Sequence, residues 1–390
     1  MGRKLKIIAL SAFLLFVLAS EALSIPAFAR KYSMSCKVCH APFPKLKPYG
    51  DDFMNNGYVV KDKETPRYYI DTGDGLLSLL RELPIAIRFE GFLSLNNSNN
   101  KKLDFAAPFL IKLLSGGEIT KHISYYFYFF FTEKGEVAGL EDAFIMLNNL
   151  FNKELDVYIG QFQVSDPLFK RELRLMYEDY KIYSTKVGQA RADLTYDRGL
   201  MFTYGFRGGP DLCLEIINGL GLQPTDDLDT FDTDKYKNLL LRFSQDINQA
   251  VRVGAFGYSG KERQGDAVNS LWMLGGDLTI SSPKLELNLQ YVERRDKNPY
   301  FYVIDPEKVA TRGGFAELIY LPKGDDSRWY ATGIFNWVDS QQPELKYTSA
   351  GVHYGYLLRR NMRVTVEGTY VFKSDLPKHF RLGLGLITAY

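Results

Sequence analysis

From about residue 83 onward, apolar and polar residues alternate with a period of two in run after run. Leu285, Leu287, Leu289 and Tyr291 interleave with Glu286, Asn288 and Gln290. Val364, Val366, Gly368, Tyr370 and Phe372 interleave with Arg363, Thr365, Glu367 and Thr369. Ile85, Ile87 and Phe89 do the same with Ala86, Arg88 and Glu90. Such alternation predicts strands with one apolar and one polar face. Sixteen candidate strands follow, near 84–95, 103–115, 119–132, 138–147, 154–163, 195–205, 211–219, 236–245, 250–259, 270–280, 284–294, 312–321, 328–338, 346–357, 362–373 and 379–390. Short turns are expected at Gly116-Gly117, Arg207 to Pro210, Ser281 to Lys284 and Pro322 to Ser327. Long segments, 164–194, 220–235 and 295–311, fall between them. An even strand number with alternating short and long connections is the habit of outer-membrane barrels.

Two details agree. Trp329 and Trp337 share one strand face, eight residues apart, or roughly 26 Å at the usual rise, which suits aromatic girdles on either side of an apolar band. The chain closes on Tyr390, in phase with Phe380, Leu382, Leu384 and Leu386, a pattern similar to the terminal assembly signal of outer-membrane proteins. The expected fold class is all-β: a transmembrane outer-membrane β-barrel of about 16 antiparallel strands over 83–390, with outer-membrane lipid against its apolar face.

Composition fits this picture. The 390 residues include 26 Tyr, 27 Phe and 33 Gly but 3 Trp and 3 Cys, and 48 Lys+Arg balance 46 Asp+Glu. A formal charge of +2 argues against a nucleic-acid binder. A 46% hydrophobic content excludes a disordered chain. Residues 1–24 read as a signal peptide: Arg3, Lys4 and Lys6 precede the apolar run Ile7 to Leu18, and Ala22-Leu23-Ser24 or Ala27-Phe28-Ala29 offers the cleavage site. The run is short for a membrane anchor, the competing reading.

Chemistry concentrates at Cys36-Lys37-Val38-Cys39-His40. C-x-x-C-H is the pattern of covalent c-type haem attachment: two thiols on one turn add across the vinyl groups and the adjacent imidazole reaches the iron. A thioredoxin-like pair lacks a following βαβ pattern, and a half zinc site lacks a second ligand pair. Residues 25–62 are thus a small α-helical monohaem segment with one haem c, and 63–82 a linker. Met54 and His122 are candidates for the second axial ligand, whereas Met34 is too near the motif. A His/His site would have a more negative potential than one with methionine. By phase, His122, His353, His379 and Cys213 all point into the lumen, where any polar side chain of a barrel strand must go. Asp226, Asp227, Asp229, Asp232 and Asp234 form an acidic loop, a solvated stretch or an attractant for cations. Segment 164–194, with Lys170, Arg171, Arg174, Lys181 and Lys186, is long enough to fold into the pore and constrict it or hold the haem segment.

Residues Pro26 to Tyr32, Cys36 to His40, Phe43 to Gly50, Phe53 and Asn56-Gly57-Tyr58 together resemble the N-terminal monohaem segment of fused outer-membrane cytochrome–porins, best known from iron-oxidising bacteria. The close resemblance covers about residues 26–60. It implies a haem in or at the mouth of a porin barrel, and electron transfer across the outer membrane between an extracellular donor or acceptor, with Fe(II) one such donor, and a periplasmic c-type cytochrome or other electron carrier. The alternative is a solute-conducting porin with an accessory haem-binding segment. A soluble β-sandwich enzyme fits the loop pattern poorly, and no nucleophile–base or phosphate-loop signature is present.

Overall fold

The computed structural model describes residues 27–60, 73, 84–97, 102–137, 139–206 and 208–390. The expected signal peptide and most of the linker 63–82 lie outside them. Two short helices come first, α1 (Ala27–Tyr32) and α2 (Pro48–Asn55), with a 3-10 turn at Cys36–Val38 between them. Sixteen strands follow: β1 (Ile85–Asn96), β2 (Lys102–Thr120), β3 (Ile123–Glu133), β4 (Gly139–Leu147), β5 (Leu155–Gln163), β6 (Tyr196–Gly205), β7 (Pro210–Ile217) and β8 (Asn238–Asn248). The second half is β9 (Val251–Gln264), β10 (Ala267–Ser281), β11 (Leu285–Asp296), β12 (Val309–Tyr320), β13 (Trp329–Ser340), β14 (Tyr347–Arg359), β15 (Met362–Lys373) and β16 (His379–Ala389). Each strand pairs antiparallel with its sequence neighbours, and β1 pairs with β16, from Arg88 opposite Ala389 to Asn96 opposite Arg381, so the sheet closes into a barrel without an edge.

The alternation works as the pattern requires. On β11, Leu285 and Tyr291 are exposed on the outer wall while Asn288 and Gln290 are buried inside. Leu382, Leu384 and Leu386 of β16, and Leu239, Leu241 and Phe243 of β8, join the same outer belt. Such a belt of exposed large apolar side chains is stable only against lipid. Trp329 packs with Tyr320 and Tyr354 at one end of the belt, and Trp337 stacks on Tyr291 farther along the same face. Among the described residues no helix is long and apolar enough to cross a membrane; the crossing is made by strands.

One end of the barrel carries the short turns, among them Lys121-His122 between β2 and β3; this is the periplasmic end in such barrels. The other end carries the long loops. Two expectations need correction here. Gly116-Gly117 is not a turn but lies inside β2, opposite Tyr126 and Tyr125. Gly116 serves close packing instead: a Cβ there would stand 2.9 Å from the Tyr126 ring and 3.4 Å from that of Phe28. The turn falls five residues later, and His122 is therefore not a lumenal strand residue. Thr120 pairs with Ile123, His122 takes a positive φ of 71°, and its side chain is exposed at the rim. The period-two reading ran straight through this tight connection because a two-residue turn leaves the phase of the flanking strands almost unbroken.

Candidate functional site

The Cys36–His40 motif is shaped by local hydrogen bonds. Ser35 Oγ accepts from the Lys37 amide to cap the 3-10 turn, and the His40 amide donates to the Cys36 carbonyl at 2.9 Å. Both cysteines lie half-buried on one turn, and neither forms a disulfide among the described residues. His40 Nδ1 donates to the Pro44 carbonyl at 2.8 Å, which fixes the ring and leaves Nε2 as the free lone-pair nitrogen. Burial lowers the His40 pKa below its ordinary value, favouring the neutral imidazole that ligates metals. Helix α2 starts on Pro48 and rests on the motif through Gly50; a Cβ at Gly50 would stand 2.4 Å from the Cys39 carbonyl oxygen. Two thiols spaced three apart on one turn, beside an oriented and neutral imidazole, fit a c-type haem. Cys36 and Cys39 would hold it and His40 would ligate its iron.

The segment lies within the periplasmic mouth and spans it. Phe28 of α1 sits between Phe53, edge-on at 5.4 Å, and Tyr58, stacked at 5.0 Å. Tyr58 then stacks on Tyr126, on the inner face of β3, at 5.2 Å. Asn149 donates to Asn56 at 3.1 Å in the β4–β5 turn. On the other side Lys45 pairs with Glu286 of β11 at 2.8 Å, Lys37 with Asp326 at 3.1 Å and Lys47 with Asp325. β3 and β11 are eight strands apart on a sixteen-strand ring, so these contacts reach opposite walls.

The 164–195 connection between β5 and β6 folds inward, as its length suggested. Val164, Leu168, Met176, Tyr180, Ile182 and Tyr183 form a buried core inside the barrel with Phe256, Phe315, Ile334 and Val338 of the wall. Tyr180 stacks on Phe315 at 4.0 Å and donates to Glu317 of β12; Tyr183 donates to Gln290 of β11 at 2.8 Å. Toward β2, Glu172 meets Lys112 at 2.8 Å. Burial pushes the Glu172 carboxyl upward, but Lys112, Arg174 and Arg88 outweigh it and hold the pKa down at about 2. Near β14–β16, Glu367 accepts from the Tyr177 and Glu178 amides at 2.7 and 2.9 Å, and Glu178 is tied to Arg381, Tyr347 and Ser349. The same loop reaches the haem-motif segment: Lys170 pairs with Asp51 at 2.9 Å.

The remaining candidates separate by position. His353 does face inward, 2% exposed, but both ring nitrogens are engaged, Nδ1 with Glu367 and Nε2 with Tyr330. His379 lies at the far rim, its Nδ1 on the Pro377 carbonyl. Cys213 is buried in the core beneath the loop. The acidic loop folds on itself: Asp226 accepts from the Leu228 and Thr230 amides, Asp232 pairs with Lys237, and Asp234 caps Tyr236 and Arg263. Among the described residues no group of three or more His, Cys, Asp or Glu side chains gathers as a metal site. Sequence reasoning missed Tyr126 as the seat of Tyr58, on an inner wall that Tyr128 and Phe130 continue. Its signal was present, because β3 reads Tyr125-Tyr126-Phe127-Tyr128-Phe129-Phe130 without alternation, the mark of a strand covered on both faces.

No family model matches the chain, and no curated protein matches it. Solved structures do. An anion-selective porin of Comamonas acidovorans superposes with a TM-score of 0.58 at 10% identity, over 79% of this chain and 99% of that one. The outer-membrane channel DcaP of Acinetobacter baumannii gives 0.57 at 13% identity, over 79% and 97%. OmpF of Salmonella typhi, in complex with daunomycin, gives 0.55 at 11% identity, over the same shares. The likeness is one of fold. With the closed sixteen-strand sheet and its lipid-facing belt, it identifies the chain as a porin-type β-barrel of the outer membrane.

Proposed function

We propose that this protein is a porin-type channel that carries one covalent haem c in its periplasmic mouth. Cys36 and Cys39 would hold the group and His40 would ligate its iron. When bound, the haem supplies one-electron transfer. The barrel fold supports the channel role, and the observation that carries the haem part is the Cys36–His40 motif docked between opposite inner walls.

A second reading is favoured by the filling of the lumen from both ends, by the haem-motif segment and by the 164–195 loop. In it the barrel insulates rather than conducts. The chain then passes electrons between an extracellular donor, Fe(II) among them, and a periplasmic cytochrome, and it joins the fused cytochrome–porins it resembles. The two readings part in one experiment on the full chain in detergent and in planar bilayers. Covalent haem on a denaturing gel, lost in Cys36→Ser and Cys39→Ser, is expected under both. Stable open-channel conductance supports the porin with accessory haem. Little conductance, together with rapid haem reduction by Fe(II) in stopped flow, supports the conduit. Absence of covalent haem in the wild-type chain rejects both haem-bearing forms and leaves the porin alone.

A further inference from the structure

Helix α2 and the inward loop meet at one point. Lys170 Nζ stands 2.9 Å from Asp51 Oδ1 and 3.6 Å from Met54 Sδ, and its side chain is 20% exposed. Residues 50, 51 and 54 fall on one face of α2, because positions three and four apart line up on a helix. Gly50 on that face touches the Cys39 carbonyl. Met54 is thus the thioether one turn along the face that rests on the attachment motif. His122, the other nitrogen or sulfur candidate near this end, stands on an exposed turn. His353 has both nitrogens engaged, and His379 lies at the opposite rim.

The geometry points to Met54 Sδ as the side chain that would join His40 in ligating the haem iron, with Lys170 of the loop as the residue that positions it. This rests on the haem reading above. A thioether sulfur has two lone pairs. One accepts the Lys170 N–H and the other remains for iron, so the contact with Lys170 orients Met54 without consuming it. The ammonium, paired with Asp51, turns the positive end of that ion pair toward the sulfur. It draws electron density from the sulfur and opposes the additional charge of the ferric state, both of which favour ferrous iron. Asp51 holds the ammonium in place. A residue of the loop that fills the lumen thereby tunes a cofactor bound by the segment at the mouth.

The test uses the full chain in detergent and four variants: Met54→Leu, Lys170→Met, Lys170→Arg and His122→Ala. Haem loading is scored first, by covalent haem on a denaturing gel. The ferric protein is then examined for the weak long-wavelength band of methionine–iron ligation, and its reduction potential is titrated. The expected result is a methionine band in the wild type, lost in Met54→Leu and kept in His122→Ala. Lys170→Met, which retains length but no charge, should shift the potential downward, and Lys170→Arg should restore it. A merely structural role for Lys170 would leave the potential where it was. Loaded haem without a methionine band, a band that survives Met54→Leu, or an unchanged potential in Lys170→Met overturns this inference alone. A wild-type chain that takes up no haem overturns the reading beneath it as well.

Discussion

Gly57 shows how closely the mouth segment is fitted. Its φ is +68°, and a Cβ would stand 2.1 Å from Asn148 Nδ2 and 2.7 Å from Ser124 Oγ, two atoms already hydrogen-bonded to each other at 3.0 Å. A Gly57→Ala chain should lose about 1–3 kcal/mol of docking from the left-handed backbone alone, with the displaced Asn148 adding to it. Limited proteolysis of folded protein should cut the 27–60 segment sooner than in the wild type, with the barrel untouched; equal cutting rates would refute the fit. At this scale some chemistry was legible and some was not. Cys36, Cys39 and His40 announce themselves by spacing. His122 did not, since whether a histidine sits in a strand or in a two-residue turn depends on the hydrogen-bond register with the partner strand, which a single strand's pattern does not contain. The Lys170–Asp51 pair joins residues 119 apart in sequence and left no local trace.

Among the elements, the 164–195 loop is held by carboxylates of both kinds, its own and the wall's. Glu172 has a folded pKa of about 2 against an ordinary 4.5. A depressed pKa stabilises the folded loop fully above the ordinary value, and that contribution fades as pH falls from about 4.5 toward 2. Loop cleavage by an acid-tolerant protease should therefore rise across that window, and a Glu172→Gln chain should show more cleavage at neutral pH with a flatter acid response. An identical acid profile in the two chains would remove Glu172 as the anchor. Strand existence was readable throughout because each strand has one lipid face and one polar face. Boundaries slipped at β2, where Gly116-Gly117 mimics a turn but makes room for Phe28. The inward course of the loop could be anticipated from its length, whereas its partners could not, since Gln290, Glu317, Asn336 and Glu367 come from strands far along the chain.

For the whole molecule, the mouth segment is a brace between opposite walls whose two ends differ in kind. The Lys37–Asp326 pair on the β11 to β13 side is open to solvent, 48% and 71% exposed, and screening leaves such a pair little to contribute; the Lys45–Glu286 pair is more sheltered but still a single ion pair. The stacked Tyr58–Tyr126 pair adds about 0.5–1.5 kcal/mol beyond its burial. Tyr126→Ala should accordingly free the segment more than Lys45→Ala does, read as hydrogen-exchange protection over residues 27–60, and high salt should weaken only the second contact. Comparable losses in both variants would contradict this ranking. The barrel closes without the brace, because its seam is the β1–β16 ladder. Fold class was therefore plain in the sequence, while the brace, an agreement between two distant walls, was not.

The inward loop makes the lumen two cups set base to base. On the side open to the outside, a pocket of about 430 Å³ lies between Phe92 and Phe109 of the wall and Tyr177 of the loop, with Glu367 and Arg381 also lining it. The cup open to the periplasm holds the Cys36–His40 motif, while Cys213 lies in the shared base. A solute too bulky to pass the base meets different chemistry from each direction: Tyr177, Glu367 and Arg381 from outside, the haem-motif segment from within. The molecule thus presents unlike chemistry to its two compartments, and any group carried on Cys36 and Cys39 would meet the periplasm first.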